Sequence, residues 1–344
     1  MARITETQLK AQLSSGEYES AYFIYGDESY LKEHYVNRFK KKIVDKTFEN
    51  FNYHNFEGGI SGLNEIIQSA EMLPVMSKYC LVTVHDYPFD KSEEDRKLLK
   101  DFLQDLPESS VVVFWYDSVE VDVKKNSKWK SVENLFSKSA CSVCLNKKNE
   151  GELVKILTAG AKKRGKILSA DNARRLISVS GTSIQVLINE LEKLCHFAHS
   201  DEITKAEIEE IATKCLEARV YDLSKAIVKK DYDTAHAVLD TLFAMKEEPI
   251  VISSVISGCF VDMYRAKCAK INSMGEGDII KAFNYGSRTF AVSNAMRDCT
   301  KLSLEALRNS IDIVNEADSK LKSTACDSKL VLEETIVKLM TAGD

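Results

Sequence analysis

The alternation of strand-like and helix-like segments over the first 145 residues is the feature that most limits how this chain can fold. Between segments of helical apolar spacing lie five β-rich runs: Ala21–Tyr25, Phe51–Phe56, Tyr79–Val84, Val111–Trp115 and Cys141–Leu145. Strands separated by helices of this length predict a parallel sheet with helices on both faces. The expected fold of residues 1–148 is therefore an α/β domain with a five-stranded, mostly parallel sheet.

The character of the sequence changes at Asn149, after which no further strand-like run follows. Thr182–Gln185 and Thr204–Glu207 both fit the capping box, a pattern that satisfies the free N–H groups at the start of a helix. Between these two boxes, apolar residues repeat at helical spacing: Ile184, Leu187, Leu191 and Leu194. Residues 149–214 are therefore predicted to form a small helical domain.

The remainder of the chain, residues 215–344, reads as a longer helical region. Its last helices carry an apolar stripe that consists of Leu304, Leu307, Ile311, Val314 and Leu321. A length of 344 residues is compatible with two or three domains. The predicted order is an α/β domain, a small helical domain and a larger helical domain.

Cysteine usage, hydropathy and charge narrow the class of protein. Nine cysteines are scattered singly, which favours reduced thiols over a disulfide framework. The start is polar, and no apolar run approaches the roughly 20 residues of a membrane span. We therefore expect a cytoplasmic protein without a membrane partner. A net charge of −5 argues against a free-standing nucleic-acid binder but allows DNA contact inside a larger complex.

Five segments follow one another along the chain: Tyr25–Leu31, Glu71–Val82, Ile188–Leu194, Val220–Ile227 and Ala317–Lys322. In this order they resemble segments of the clamp-loader delta subunits of bacterial DNA polymerase III. The resemblance implies an AAA+-like subunit with a degenerate nucleotide site, a lid domain and a C-terminal collar for oligomerisation. It also implies packing with the gamma/tau ATPase and delta-prime subunits, and primer–template DNA within the complex. The distinguishing task of such a subunit is to bind the sliding clamp (beta) and to release one clamp interface.

The clamp-binding element of the family falls, by this resemblance, on a short apolar segment. Leu73, Pro74 and Val75 are the central candidates, and Met72 and Met76 flank them. In an anonymous protein the same cluster would be interpreted as local core. Pro74 disfavours the α conformation at Leu73, so the preceding helix should end near there. Many family members have a larger aromatic residue at the position of Val75.

The turn after Tyr25 is the place where an AAA+ protein would carry its phosphate-binding loop. The residues there are Gly26, Asp27, Glu28 and Ser29, with one glycine and no Gly-Lys-Ser or Gly-Lys-Thr. Asp27 and Glu28 would repel a triphosphate, and Lys32 is a cation at the wrong spacing. The loop is predicted to be a tight strand-to-helix turn with acids and a hydroxyl at a helix N-terminus.

Other motifs in the chain allow metal-binding or nucleic-acid roles, but each also has a structural interpretation. Asp86, after the strand that ends at Val84, could correspond to a magnesium-binding acid, but a cap of the strand end is the simpler interpretation. Cys141 and Cys144 have C-x-x-C spacing without the second pair that a structural zinc site needs. His196 and His199 lie near Cys195, but their spacing is typical of a helix end that runs into a loop and does not favour a metal site. Basic clusters that fit solvated helix faces or phosphate contacts lie at Arg38–Lys42, Lys124–Lys130 and Lys162–Lys166.

The leading hypothesis is a non-catalytic subunit that opens the clamp, without cofactor or metal. Any polymerase activity would belong to the holoenzyme. One alternative is a divergent AAA+ ATPase with an unusual phosphate loop, and it requires nucleotide binding by the isolated chain. Another is a delta-prime-like replication scaffold, against which stands the absence of a Ser-Arg-Cys tripeptide.

Overall fold

The computed structural model describes residues 3–286, 288–323 and 327–342. By its internal contacts the chain divides into two compact units, Met1–Lys147 and Lys148–Asp344. The first unit is the α/β part of the chain, and the second is helical.

The first unit alternates strands and helices along its whole length. Its strands are β1 (Arg3–Ile4), β2 (Ala21–Tyr25), β3 (Tyr53–Glu57), β4 (Cys80–His85), β5 (Ser110–Trp115) and β6 (Cys141–Cys144). Its helices are α1 (Glu6–Ser15), α2 (Ser29–Ile43), α3 (Glu49–Asn52), α4 (Leu63–Ala70), α5 (Glu93–Gln104) and α6 (Ser127–Ser139), with a 3₁₀ turn at Lys46–Phe48.

The six strands form one sheet in the order β1-β6-β2-β5-β4-β3, and every pair of neighbours is parallel. The expectation of five strands in a mostly parallel sheet was therefore wrong in number. The missed strand, β1, is two residues long, too short to show any alternation. It is recognisable only by its pairing, with Arg3 beside Ser142 and Ile4 beside Val143.

The central strands are covered on both faces, which explains their continuous apolar sequences. All five residues of β2 are buried, as are the first five of β4 and of β5. The predicted strand at Phe51–Phe56 begins later, at Tyr53, because residues 49–52 close a short helix first. This difference puts Phe51 and Asn52 at the N-terminal edge of the sheet.

The second unit is built from helices, and its extended pairing in the described residues is a single bridge between Ile167 and Glu202. Its first helices are α7 (Glu150–Lys163), α8 (Ala170–Ser180), α9 (Ile184–Phe197) and α10 (Lys205–Ile211). They are followed by α11 (Leu216–Val228), α12 (Tyr232–Ala244), α13 (Pro249–Ile271), α14 (Glu276–Phe283), α15 (Thr289–Asp298), α16 (Leu304–Ser323) and α17 (Ser328–Thr341), with a 3₁₀ turn at Cys299–Lys301. No helix in the described ranges is long and apolar enough to cross a membrane.

The capping boxes predicted for this unit have different outcomes. Thr204 caps α10 reciprocally with Glu207, as expected. The box predicted at Thr182–Gln185 was wrong, because α9 has Ser183 as its N-cap residue without a side-chain hydrogen bond. The stripe of α9 is buried as predicted. Residues between 220 and 340 share one apolar core. The further division of the unit at residue 215 stays a prediction.

Candidate protein-binding site

The segment between α4 and β4, residues 71–79, carries the predicted binding residues and is here called the apolar loop. Helix α4 buries Leu63, Ile66 and Ala70 against the core of the first unit. The helix ends at Ala70, three residues before Leu73, and Glu71 is its C-cap residue. Because the strands are parallel, a loop that leads into β4 lies at the N-terminal edge of the sheet.

The apolar side chains of this loop face solvent. Leu73 is 80% exposed and Met76 is 82% exposed, while Met72 and Val75 are also exposed and Pro74 is half-buried. The interpretation of this cluster as local core is therefore wrong for these four exposed residues. Apolar side chains that are concentrated in one exposed segment are a mark of an interaction surface.

Two hydrogen bonds from one side chain hold the middle of the apolar loop. The amide of Asn52 donates from Nδ2 to the carbonyl oxygen of Val75 at 2.8 Å. The N–H of Val75 donates to Oδ1 of Asn52 at 2.7 Å. Asn52 itself is fully buried at the end of α3. Sequence analysis missed this residue, because a single asparagine 23 positions away from its partner leaves no pattern.

The rest of the apolar loop combines an unusual backbone angle with aromatic contacts. Met76 has a φ of +53°, in the left-handed region that residues with a side chain adopt rarely. The hydroxyl of Ser77 donates to the carbonyl oxygen of Tyr79. The ring of Tyr79 packs edge-on against Tyr18 at 5.4 Å, and the ammonium of Lys78 lies over it. Tyr79, the last loop residue before β4, is thus held by contacts of its ring.

The predicted degenerate nucleotide loop, Gly26–Ser29, lies at the opposite edge of the sheet, because it follows the C-terminal end of β2. Gly26 has a φ of +123°, and a Cβ at this position would lie 2.3 Å from the carbonyl oxygen of Leu145. The N–H of Glu28 donates to that same oxygen at 3.0 Å. Helix α2 begins at Ser29, with Glu28 as N-cap residue and Asp27 preceding it. The turn is therefore tied to the end of β6.

The cation nearest to this turn is engaged inside the protein. Lys32 is only 3% exposed, and its Nζ donates to the carbonyl oxygen of Gly26 at 2.8 Å. The same ammonium lies 3.3 Å from a carboxylate oxygen of Asp117. A hydrogen bond from Ser29, together with the charge of Lys32, holds the pKa of Asp117 below its ordinary value. The cation beside this turn is thus already paired with Gly26 and Asp117.

Asp86 fits the strand-end cap rather than an open metal ligand. It follows β4 with a φ of +53°. Its two carboxylate oxygens accept hydrogen bonds from the backbone N–H groups of Asp117 and Ser118, at 2.8 Å and 2.9 Å. The carboxylate therefore joins the end of β4 to the turn that follows β5.

The C-x-x-C pair lies too far apart for a disulfide. Cys141 and Cys144 lie at the two ends of the extended strand β6, so their Cα atoms are about 10 Å apart, beyond the ~7 Å limit of a disulfide. Cys141 is buried, and burial raises its pKa to about 11. Cys144 is half-buried, and its sulfur lies beside the side chain of Asn146.

One other grouping in the described residues has metal-ligand chemistry, in the second unit. It consists of His236, Asp240 and Glu333. The ammonium of Lys329 already lies 2.6 Å from Asp240, and both ring nitrogens of His236 face carboxylates. This arrangement is an ion-pair network between α12 and α17.

Two members of the basic clusters have structural roles. Lys40 pairs with Glu49 at 2.7 Å and lies over the ring of Tyr53. Lys166 donates to the carbonyl oxygens of Ala198 and Ser200. The exposed Lys124, which precedes α6, and the exposed Lys128 in its first turn remain candidates for phosphate contacts.

Two family models match the chain. Residues 22–145 match the DNA polymerase III delta subunit, and residues 217–339 match the C-terminal domain of that subunit. Together the two matches cover more than two thirds of the chain and fall in both units.

Individual proteins of this description are similar to the chain over most of their length. The DNA polymerase III subunit delta of Bacillus subtilis is 26% identical over 340 residues, which covers 96% of both chains. A probable DNA polymerase III subunit delta of Aquifex aeolicus is 22% identical, over 77% of this chain and 74% of its own. The solved structure of the Bacillus subtilis DNA clamp loader delta protein aligns with a TM-score of 0.60 at 24% identity, over 97% of this chain and 99% of that one. The last comparison shows a shared fold.

Proposed function

This chain belongs to the family of DNA polymerase III delta subunits, and from that membership we propose that it binds the sliding clamp through the apolar loop and opens one clamp interface. The residues that would enter the clamp are Met72, Leu73, Pro74, Val75 and Met76. The family places the chain in a clamp loader, and the clamp contact is the step that the proposal adds.

The exposure of Leu73 is the observation that carries this proposal. A leucine that is 80% exposed on a loop held in place by buried groups has most of its apolar area still to bury. Transfer of one such side chain into a pocket contributes ~1.5–3 kcal/mol. A few anchors of this kind commonly supply most of the free energy of a protein interface. Val75 and the adaptable side chain of Met76 would extend the contact.

Opening of the clamp needs no chemistry in this chain. If the apolar loop binds a clamp with a relaxed interface more tightly than a closed one, binding shifts the clamp population toward the open form. The free energy that opens the interface is then the difference between the two binding free energies. ATP on neighbouring subunits would control when the apolar loop becomes accessible.

The pairing of Lys32 with Gly26 and Asp117 argues against the alternative of a divergent ATPase. A triphosphate at this turn would have to break that pairing and lie beside Asp27 and Glu28. We expect that Mg²⁺ and ATP do not raise the thermal midpoint of the isolated chain, whereas a nucleotide-binding chain would be stabilised by mass action. Stabilisation by the nucleotide would favour the ATPase alternative.

The proposed assembly follows the family. The helical region from residue 215 would join the collar with the gamma/tau ATPase and delta-prime subunits, and residues 149–214 would form the lid. Primer–template DNA would be contacted within the complex. As a replication subunit of this family, the chain would work in the cytoplasm.

Binding of the purified chain to the sliding clamp of its own organism tests the proposal. The double change Leu73→Ala, Val75→Ala should weaken binding by about 2 kcal/mol, or roughly 30-fold. Ile60→Ala is a matched control, because Ile60 is an apolar side chain that is 88% exposed and follows β3 at the other edge of the sheet. Absence of binding, or equal loss in the control, would contradict the proposal.

A further inference from the structure

Asn52 uses its whole side-chain amide on one residue of the apolar loop. Its Nδ2 and Oδ1 atoms bond to the C=O and N–H of Val75, as a neighbouring strand would. A buried amide has to be satisfied, and burial makes each of its hydrogen bonds costly to lose. The side chain is fully buried, so water does not replace Val75 as its partner without local opening.

The apolar loop has little else to define its shape. Its ends are fixed by main-chain bonds from Glu71 to Ile67 and from Cys80 to Ser109. Between these ends, the described residues show no bond from one main-chain group to another. The exposed side chains of the loop contribute little packing in the free chain. The Asn52 amide is thus the contact that fixes its middle.

The loop also contains a conformation that has to be stabilised. A residue other than glycine with a φ near +53° costs on the order of 1 kcal/mol or more, and Met76 adopts this angle directly after Val75. The two bonds of Asn52 end at the preceding residue. They therefore hold the backbone at the point where it would relax.

We propose that Asn52 is a positioning residue that holds Val75, and with it Leu73 and Met76, in the shape that binds the clamp. This inference rests on the proposed function of the apolar loop. Asn52 does not enter the clamp, and it acts by raising the fraction of chains whose loop is already in the binding shape. Apparent affinity falls in proportion to that fraction when the shape is lost.

Two substitutions of Asn52 disrupt its hydrogen bonds to Val75 in different ways. Asn52→Ala leaves both main-chain groups of Val75 without a protein partner. Asn52→Asp keeps the volume and the acceptor for the N–H of Val75, but it places a carboxylate oxygen 2.8 Å from the carbonyl oxygen. Both variants should weaken clamp binding about tenfold.

Thr83→Val is the matched control for a general loss of stability. The buried Thr83 side chain lies in β4 and its hydroxyl donates to Asn55 of β3 at 2.8 Å, so its removal also breaks a partly buried hydrogen bond. It does not touch the apolar loop. This control should lower the free energy of unfolding and leave clamp affinity within about twofold.

Amide hydrogen exchange and clamp binding of the full chain test the inference together. In the unaltered chain the amide of Val75 should exchange at least tenfold more slowly than that of Leu73, and Asn52→Ala should abolish this difference while the amides of β4 stay protected. Leu73→Ala should cost less affinity in the Asn52→Ala background than alone, because the loop is no longer held in the binding shape.

Rapid exchange at Val75 in the unaltered chain, or clamp affinity of Asn52→Ala equal to that of Thr83→Val, would overturn the inference. If the unaltered chain does not bind the clamp, the proposed function fails and the clamp role of Asn52 with it. Exchange at Val75 would still decide whether Asn52 holds the loop.

Discussion

The ammonium of Lys32 lies 3.3 Å from the carboxylate of Asp117, on a lysine that is almost completely buried. A phosphate-binding lysine has to be free to approach its ligand, whereas this one is also bonded to the carbonyl oxygen of Gly26. The positive charge of Lys32 is therefore paired with groups of the fold itself. In this protein Lys32 of α2 joins the turn after β2 to the turn after β5.

Replacement of Lys32 by methionine should destabilise the first unit. Methionine keeps the length of the side chain but removes the donor that Lys32 supplies to the Gly26 carbonyl and to Asp117, which keeps its hydrogen bond from Ser29. We expect a loss of about 1–3 kcal/mol, below the cost of a fully buried broken pair because Asp117 is partly exposed. Urea unfolding followed by tryptophan fluorescence measures this loss, since Trp115 and Trp129 both lie in the first unit. Lys128→Met, at an exposed lysine of α6, is the control and should change little.

The same pair predicts a dependence of stability on pH. The pKa of Asp117 is lowered from an ordinary value of 3.8 by the hydrogen bond from Ser29 and by the charges of Lys32 and His85. A carboxylate with a depressed pKa stabilises the fold above the ordinary value, and this contribution is lost as the pH falls through the lowered value. The difference in unfolding free energy between the unaltered chain and Asp117→Asn should therefore be constant near pH 7 and shrink below pH 3.8. A difference that grows on acidification would contradict this assignment.

The contact of Gly26 with Leu145 predicts an intolerance to any side chain. In Gly26→Ala the new methyl group would meet the Leu145 carbonyl oxygen at 2.3 Å, and the φ of +123° would remain strained. We expect a loss of more than about 2 kcal/mol from the first unit. Gly59→Ala provides the comparison, because its Cβ has no atom within 4 Å. Equal stability of the two variants would show that the turn can move away from β6.

The sequence predicted the parts of the fold that depend on local pattern. Buried strands such as β2 and β5 are continuous apolar runs, and they were located within one or two residues. The edge strand β1 was missed because it has only two residues and because its Arg3 is bonded to residues far along the chain. Its guanidinium donates to the hydroxyl of Tyr25, which donates in turn to Glu133 at 2.5 Å, 108 residues further along the chain. No periodicity in the sequence records such a link.

The same distinction applies to the candidate site. The apolar segment around Leu73 was identified by its resemblance to a family, and its pattern alone favoured local core. Only the structure shows that these side chains are exposed and that the Asn52 side chain is hydrogen-bonded to both main-chain groups of Val75. Exposure and long-range hydrogen bonds depend on how the elements pack, so they lie beyond a pattern-based prediction.

The two predicted capping boxes of the second unit give a final, paired prediction. Thr204 accepts a hydrogen bond from the N–H of Glu207, and the carboxylate of Glu207 accepts from the N–H of Thr204. Thr182 has no such role, because α9 is preceded by Ser183 without a side-chain bond. Thr204→Ala should therefore destabilise α10 by about 1 kcal/mol, while Thr182→Ala should leave α9 within about 0.5 kcal/mol.

Hydrogen exchange at the amide of Glu207 measures the effect where it arises. Loss of the Thr204 hydroxyl frees this N–H, so its exchange should accelerate about fivefold, the kinetic equivalent of 1 kcal/mol. Because α10 is only seven residues long, it has few other bonds to compensate, and the effect should extend to the neighbouring amides of its first turn. The amide of Leu187 in α9 should be unaffected by Thr182→Ala. Equal responses of the two helices would mean that the reciprocal bonds at Thr204 contribute no more than an ordinary helix start.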